Sequence, residues 1–389
     1  MKRLLTFFLI CFSFVEYTRA EDIIDYKYWD EGKLTWDDFQ DTLSLKGVPS
    51  TFNAFLRIEK TEKRDGNTRT IRPEAQACFD KRHSFADRQI QNENLLRLFQ
   101  LKYDLLEMYR RRLQTELNLG VVGIAADNRT RQYMDLYTEQ SKKAEQETEN
   151  GQNEIKLQEW EFYVTKELIE NPAPSIPRIS PRRFGYGFYL GTGASFPVGN
   201  IADYWAPAWQ INVGFDLAYA NTHLLCDFSA GTARTRQEIT VSNGQITDTW
   251  LRNGHNTYTS ISLGIGQQRV STKYFALMPY AGCIWSGYSD QAKIQEGRNE
   301  RTTLSYTNFN WTAGICFDYR FSTTISLVPS FWRGHREIFT ASIRTKLFIN
   351  REQFHNFKIA PDDNGSMLRG CKLGFSVACL GFSRLLQIK

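Results

Sequence analysis

The stretch Trp209-Gln210-Ile211-Asn212-Val213-Gly214-Phe215-Asp216-Leu217-Ala218-Tyr219 decides how this chain is to be read. Apolar and aromatic residues take every odd position, and small or polar ones fill those between. Successive side chains of a strand point to opposite faces, so one face is apolar and the other polar. The pattern recurs. Phe309, Trp311, Ala313, Ile315, Phe317 and Tyr319 alternate with Asn308, Asn310, Thr312, Gly314, Cys316 and Asp318. Phe339 to Leu347 sets Ile343 and Leu347 against Arg344 and Lys346, and Leu373 to Cys379 sets Phe375 and Val377 against Gly374 and Ser376. Alternation of this kind suits a wall with lipid on one side and a polar interior on the other.

Between Phe184 and Phe382 the segments lay out as about eight strands, an even number that closes a small antiparallel barrel. Residues 196–207, 233–255 and 287–303 are long, polar connections, whereas 220–222 and 270–273 are tight, the asymmetry of outer loops and inner turns. Residues 321–332 read as an extra strand or as an extension of the sixth. Tyr204, Trp205, Trp209, Trp250, Trp285, Tyr288 and Trp332 stand near segment ends and are expected to form interfacial belts. The chain ends Gln387-Ile388-Lys389, so Phe382 is expected to serve as the terminal aromatic, with a short tail beyond it. Small barrels fill their interior with side chains. Asp216, Asp227 and Asp318 are expected inside with Arg344, Lys346 and Lys372, pairing to plug the lumen. A soluble β-sandwich is the alternative, because its strands alternate too.

Ahead of this half, Lys2 and Arg3, the apolar run Leu4 to Val15 and the exit Thr18-Arg19-Ala20 predict a signal peptide over residues 1–20. Its removal takes three cations and one anion from 48 and 43, leaving 45 against 42. So mild a balance excludes a nucleic-acid-binding stripe. No later segment is apolar and long enough for a membrane helix, and mean hydropathy is −0.45. Residues 21–170 read as mixed and mainly helical, with helical stretches at 87–117 and 128–169 and a turn at Asn150-Gly151. Leu95, Phe99, Tyr103 and Leu106 make an apolar stripe suited to a domain core. Pro172, Pro174, Pro177 and Pro181 mark residues 171–183 as a linker. The expected fold is therefore an α+β, mainly helical N-terminal domain followed by an all-β antiparallel membrane barrel over 184–389.

Seven cysteines show no paired spacing and His83, His223, His255, His335 and His355 are scattered, so no metal site is expected. Burial as small apolar residues is the plain reading of the cysteines, with one or two disulfides as the alternative. Asp80, His83 and Ser84 lie close together, but nothing near them resembles a nucleophile elbow.

Leu34-Thr35-Trp36-Asp37-Asp38-Phe39, Ala75 to Phe79, Ser84 and the segment Leu95 to Leu113 resemble a family of secreted bacterial proteins described as predicted zinc-dependent proteases of unknown function. The similarity runs over most of residues 30–170. Family members carry H-E-Q-x-H-F-D-x-x-E on a helix and a T-x-H-G turn farther on. Here Gln100, Tyr103, Asp104, Glu107, Thr148, Gly151, Gln158 and Trp160 keep the framework. Leu98 and Lys102 stand in place of the histidines, Phe99 in place of the glutamate and Asn150 in place of the third histidine. An apolar residue cannot ligate and an ammonium repels a metal, so the resemblance implies a degenerate site without cofactor or catalysis.

The functional expectation is a non-catalytic envelope protein of a Gram-negative cell, held in outer-membrane lipid by the barrel, whose periplasmic domain binds a peptide or protein partner. A narrow channel, an adhesin or a structural anchor is the alternative role for the barrel. A secreted two-domain protein with a sandwich is the alternative fold.

Overall fold

The computed structural model describes residues 25–41, 48–242, 247–290, 305–328, 336–354 and 368–388. The expected signal peptide, Trp332, His335, His355 and most of 287–303 lie outside them. The chain divides into two compact units, one of residues 1–59 and 74–176, the other of residues 60–73 and 177–389.

In the first unit, β1 (Tyr26–Tyr28) pairs antiparallel with the end of β3 (Thr68–Asp80), which forms a hairpin with β2 (Ala54–Asp65); the hairpin's tip, residues 60–73, belongs to the second unit. Three helices follow, α1 (Glu93–Leu119), α2 (Ile124–Glu147) and α3 (Glu154–Glu170). The Asn92 side chain caps α1 by accepting from the Leu95 amide at 2.8 Å. Leu95, Leu98, Phe99, Leu105 and Leu106 of α1 share one core with Ala75, Ala77 and Phe79 of β3. The α2–α3 turn needs three left-handed residues, Glu149, Asn150 and Gly151, with φ of 49°, 57° and 90°. Helix breaks there, as the Asn-Gly pair suggests.

The hairpin corrects the mainly helical expectation. Glu59 to Asp65 is almost wholly charged or polar, a composition that reads as solvated helix or loop, and backbone pairing rather than side-chain periodicity makes it a strand. The first helix also starts later than expected, at Glu93.

Glu107 is buried in α1 and takes Arg110 Nε at 2.5 Å and Arg111 Nε at 2.8 Å. Removing it leaves two largely buried guanidinium groups facing each other. Glu107→Ala is expected to destabilise this unit by about 3 kcal/mol, read as an earlier loss of helical circular dichroism in urea.

The second unit is a barrel. Its strands are β4 (Ile179–Gly199), β5 (Ala208–Tyr219), β6 (Thr222–Arg234), β7 (His255–Gln267), β8 (Phe275–Asp290), β9 (Ser305–Ser326), β10 (Glu337–Phe354) and β11 (Leu368–Ile388). Each pairs antiparallel with the next, and β11 returns to β4 with Val377 opposite Thr192, so the eight-stranded ring closes. A single closed ring is not two packed sheets, and the sandwich alternative falls. Along β5, Trp209, Ile211 and Phe215 are 65%, 61% and 55% exposed, while Gln210, Asn212 and Asp216 are buried.

β5 and β6 are joined by Ala220-Asn221 alone, and β7 and β8 by 268–274. The opposite end carries 200–207 and 235–254, the latter folding a small hairpin of Ile239–Ser242 with Thr247–Trp250. At the short-turn end β9 outruns β8, whose pairing with it begins at Phe275 opposite Tyr319. The exposed edge of Thr323–Ser326 is covered by parallel pairing with Thr68–Ile71, residues that belong to this unit. Asn67 ties this cover down, donating to the carbonyls of Lys273 at 3.1 Å and Arg320 at 2.9 Å.

Of the two readings of 321–332, residues 321–326 extend the sixth strand. Three other expectations are corrected here. The first strand starts at Ile179, inside the proline segment, with Pro181 paired at the ladder's end beside a bulge at Arg384/Leu386. Phe382 points inward, packing with Tyr189, Ala378 and Leu380, and its strand runs on to Ile388 instead of leaving a tail. Trp205, Trp250 and Tyr288 are buried inside the long-loop end, not in a belt, whereas Trp209 and Trp285 do face outward.

Candidate functional site

The barrel interior is built in charged layers. Nearest the long loops, the Lys372 ammonium lies 2.9 Å from a Glu352 carboxylate oxygen, both groups buried. It sits 3.5 Å from the centroid of the Tyr258 ring and 4.4 Å from that of Tyr288. Trp205 stacks on Tyr288 at 4.4 Å and 11°, and Ile201, Ile239 and Trp250 complete an apolar cap. A cation removed from water is held by one carboxylate and two ring faces.

In the middle layer Lys346 Nζ is 2.8 Å from both oxygens of Asp227. Tyr189 donates its hydroxyl to Asp227 Oδ1, and Ser262 donates to Oδ2 at 3.2 Å. In the third layer Arg344 donates Nε and Nη2 to Asp318 at 2.7 and 2.8 Å, and Nη2 to Asp216 at 2.7 Å. His223 Nδ1 meets the other Asp216 oxygen at 2.6 Å. The structure thus brings Asp216, Asp318 and Arg344 into one cluster and Asp227 and Lys346 into another, and Lys372 pairs with Glu352. His223, Tyr189 and Glu352 were not read from the sequence. Glu352 stands on the same parity as Arg344 and Lys346, so alternation carried enough signal to find it.

These ion pairs join β5, β6, β9, β10 and β11 across the lumen, leaving a cavity of only about 30 Å³ between the first two layers. A second cavity, of about 380 Å³, opens at the short-turn end beyond the third layer.

In the first unit Leu98, Phe99 and Lys102 are all buried on α1. Lys102 Nζ lies 2.5 Å from Glu145 Oε1 and 4.6 Å from the Phe52 ring centroid. Asn150 is exposed and donates its amide to the Glu145 carbonyl at 2.8 Å. Gly151 packs so closely on Asn94 that a Cβ would stand 3.0 Å from its carbonyl oxygen, which brings the turn against the start of α1. Zinc does not fit these residues. Leu98 and Phe99 offer no lone pair, and Lys102 already supplies the cation facing Glu145. Among the described residues no group of three His, Cys, Asp or Glu is placed to hold a metal.

Framework residues form a polar lattice beside that core. Asp104 accepts from Trp29 Nε1 at 2.8 Å and Gln100 Nε2 at 2.7 Å, and Gln100 Oε1 accepts from the Leu34 amide at 2.8 Å. Burial raises the Asp104 carboxyl above its usual range, against those hydrogen bonds. Burial opposes ionisation of Asp38 too, but Lys27 at 2.7 Å and the Thr35 amide bring it below the usual range. A groove of about 560 Å³ runs past Leu34, Leu96, Arg97, Gln100, Asp104 and Glu161.

Ser84 is buried and its hydroxyl accepts from the Asn53 amide at 3.0 Å. His83 turns its ring outward, 2.8 Å from Asp80. That is a turn held by its own side chains, not a triad. All six cysteines of the described residues are free, and Cys78 and Cys316 are buried. Burial pushes the Cys78 thiol up to about 12. Iodoacetamide at pH 8 is therefore expected to leave Cys78 unmodified in the native chain and to label it after urea, as mass spectrometry would read.

No protein-family model matches the chain, and no curated protein matches it in sequence. The resemblance of residues 30–170 to zinc-dependent proteases is thus not shown. Among solved structures, similar ones include Ail, the attachment invasion locus protein of Yersinia pestis, at 11% identity over 52% of this chain and 99% of that one, with a TM-score of 0.27. The N-terminal β-barrel domain of Pseudomonas aeruginosa OprF matches at 9% identity over 52% of this chain and 99% of that one, with a TM-score of 0.23. A major outer membrane protein from Thermus thermophilus matches at 13% identity over 51% of this chain and 98% of that one, also with a TM-score of 0.23. These structural neighbours are outer-membrane β-barrel proteins.

Proposed function

We propose that this chain is a non-catalytic outer-membrane protein whose plugged barrel serves as an anchor and whose N-terminal unit, in the periplasm, binds a peptide or protein partner. The observation that carries the anchor is the closed eight-stranded ring with an apolar, aromatic outer row and a charged, paired interior. In water such an outer row would be a large exposed apolar patch, and in lipid it is the expected surface. Partner binding is supported by the groove beside Leu96 and Asp104, which joins apolar walls to an Arg97–Glu161 pair at 2.7 Å. That Leu98, Lys102 and Asn150 offer no zinc ligand is consistent with the role without catalysis that the sequence resemblance implies.

Electrophoresis of outer-membrane fractions with and without boiling tests the anchor. A shift in mobility on boiling, confined to that fraction, is expected. Recovery in the soluble periplasm without a shift would sink the anchor. For the first unit, metal analysis of the purified protein is expected to find no stoichiometric zinc, and one zinc per chain would overturn the degenerate-site reading. The layered ion pairs favour an anchor over a channel, so purified barrel in planar bilayers is expected to give no steady ion conductance.

A further inference from the structure

The 380 Å³ cavity at the short-turn end is lined by Arg320, Arg384, Lys273, His223, Asp318 and Arg344, drawn from several strands and turns. Lys273 is neutralised by Asp65 at 3.1 Å, and Arg344 by Asp318 and Asp216. Arg320 and Arg384 each spend a guanidinium nitrogen on a backbone carbonyl, of Thr272 and Ala220, both at 2.6 Å. Among the described residues neither makes an ion pair, and although Asp318 and Asp216 attract them at longer range, the two guanidinium groups tip the charge around the cavity to positive. A second observation points the same way. Among the described residues, Arg344 Nη1 and His223 Nε2 are buried and have no hydrogen-bond partner, although both side chains are otherwise anchored to Asp216. An orphaned buried guanidinium N–H is costly unless an acceptor reaches it.

We propose that this cavity is a binding site for a small organic molecule carrying a phosphate group. A single guanidinium fork satisfies a planar carboxylate, whereas donors arriving from β9, β10 and β11 suit the tetrahedral oxygens of a phosphate. Ile325, Ile338, Leu380 and Phe382 line the rest of the space, and its volume lies within the roughly 300–1,000 Å³ of small-molecule pockets. That leaves room for an apolar body behind the anion. The same chemistry is available from a soluble phosphate ester and from a phospholipid headgroup.

The test uses the full chain folded in detergent or in phosphatidylcholine vesicles, with phenyl phosphate as probe and calorimetry as readout. Binding is expected to weaken by about tenfold or more in the double variant Arg320→Gln with Arg384→Gln, whose folding is checked by its mobility shift on boiling. If that pair does not fold, Arg320→Lys with Arg384→Lys carries the test, because lysine keeps the charge and loses the fork. Competition by phosphatidylglycerol in the vesicles would assign the phosphate to lipid, and its failure to compete would assign it to a soluble ester. Absence of phenyl phosphate binding at millimolar concentration, or equal affinity in a folded variant, would overturn the proposal.

Discussion

Arg344→Met is expected to destabilise the folded barrel by about 3–5 kcal/mol, a larger loss than any surface substitution would give. Arg344 is 1% exposed and its guanidinium holds two carboxylates at once, Asp318 through Nε and Nη2 and Asp216 through Nη2. Methionine of similar length fills the space, so the loss is electrostatic: two buried carboxylates lose the guanidinium that hydrogen-bonds both, and keep His223 beside Asp216 and the longer-range attraction of Arg320 and Arg384. In a narrow lumen filled by side chains, water cannot replace the missing cation at low cost. Urea titration of barrel refolded in vesicles measures the change. Adding Asp216→Asn and Asp318→Asn to the same chain is expected to restore most of the stability, because the charges left stranded are then gone. A loss below about 1 kcal/mol, or no recovery in the triple variant, would show that the cluster does not hold the barrel.

The second large effect tests lipid itself. Phe215 lies outward near the middle of β5, its ring 5.4 Å from that of Phe188 on the neighbouring strand. Phe215→Arg places a charge on the outward apolar face and is expected to cost about 2–4 kcal/mol in vesicles, whereas Tyr219→Arg, at the strand's last residue, is expected to cost about 0–1 kcal/mol. Depth dependence is the signature of a bilayer. A soluble barrel would show equal and small effects at both sites, because an exposed arginine is well hydrated in water.

What was legible in the sequence follows from how local each signal is. Period-two alternation needs only a strand and two unlike solvents, so the rows of Trp209 to Tyr219 and Phe309 to Tyr319 could be read without neighbours. The same argument failed where position along the barrel mattered. Aromatic residues at strand ends serve either as outer belt or as inner cap: Trp205 joins the cap because the 200–207 loop carries it over the lumen, and Tyr288 because it shares the inward parity of Ile284 and Ser286 on β8. Phe382 sits on the inward parity with Lys372 and Ser376 and packs on Tyr189, Ala378 and Leu380 instead of facing outward as a terminal aromatic. The hairpin of β2 and β3 escaped because its charged tip has no periodicity, and its Thr68–Ile71 segment gains a partner only when β9 overruns β8.

In the first unit the helices and the Asn150-Gly151 break were visible, since apolar spacing on α1 and turn chemistry are both short-range. The surroundings of Leu98, Phe99 and Lys102 were not. That Lys102 meets Glu145 and Phe52 depends on two other elements packing against α1.

By itself, then, the sequence determined that the C-terminal half is made of alternating strands in sufficient number to close, and which residues of 209–219, 308–319, 339–347 and 372–379 belong to the polar row. Only the tertiary structure decided which cation meets which anion, as Arg344 does with Asp216 at 128 residues' separation, and where Arg320 and Arg384 are left over. The physical reason is that alternation is a property of one strand in its solvent, whereas charge pairing across a lumen depends on register and curvature, which exist only once the ring has closed.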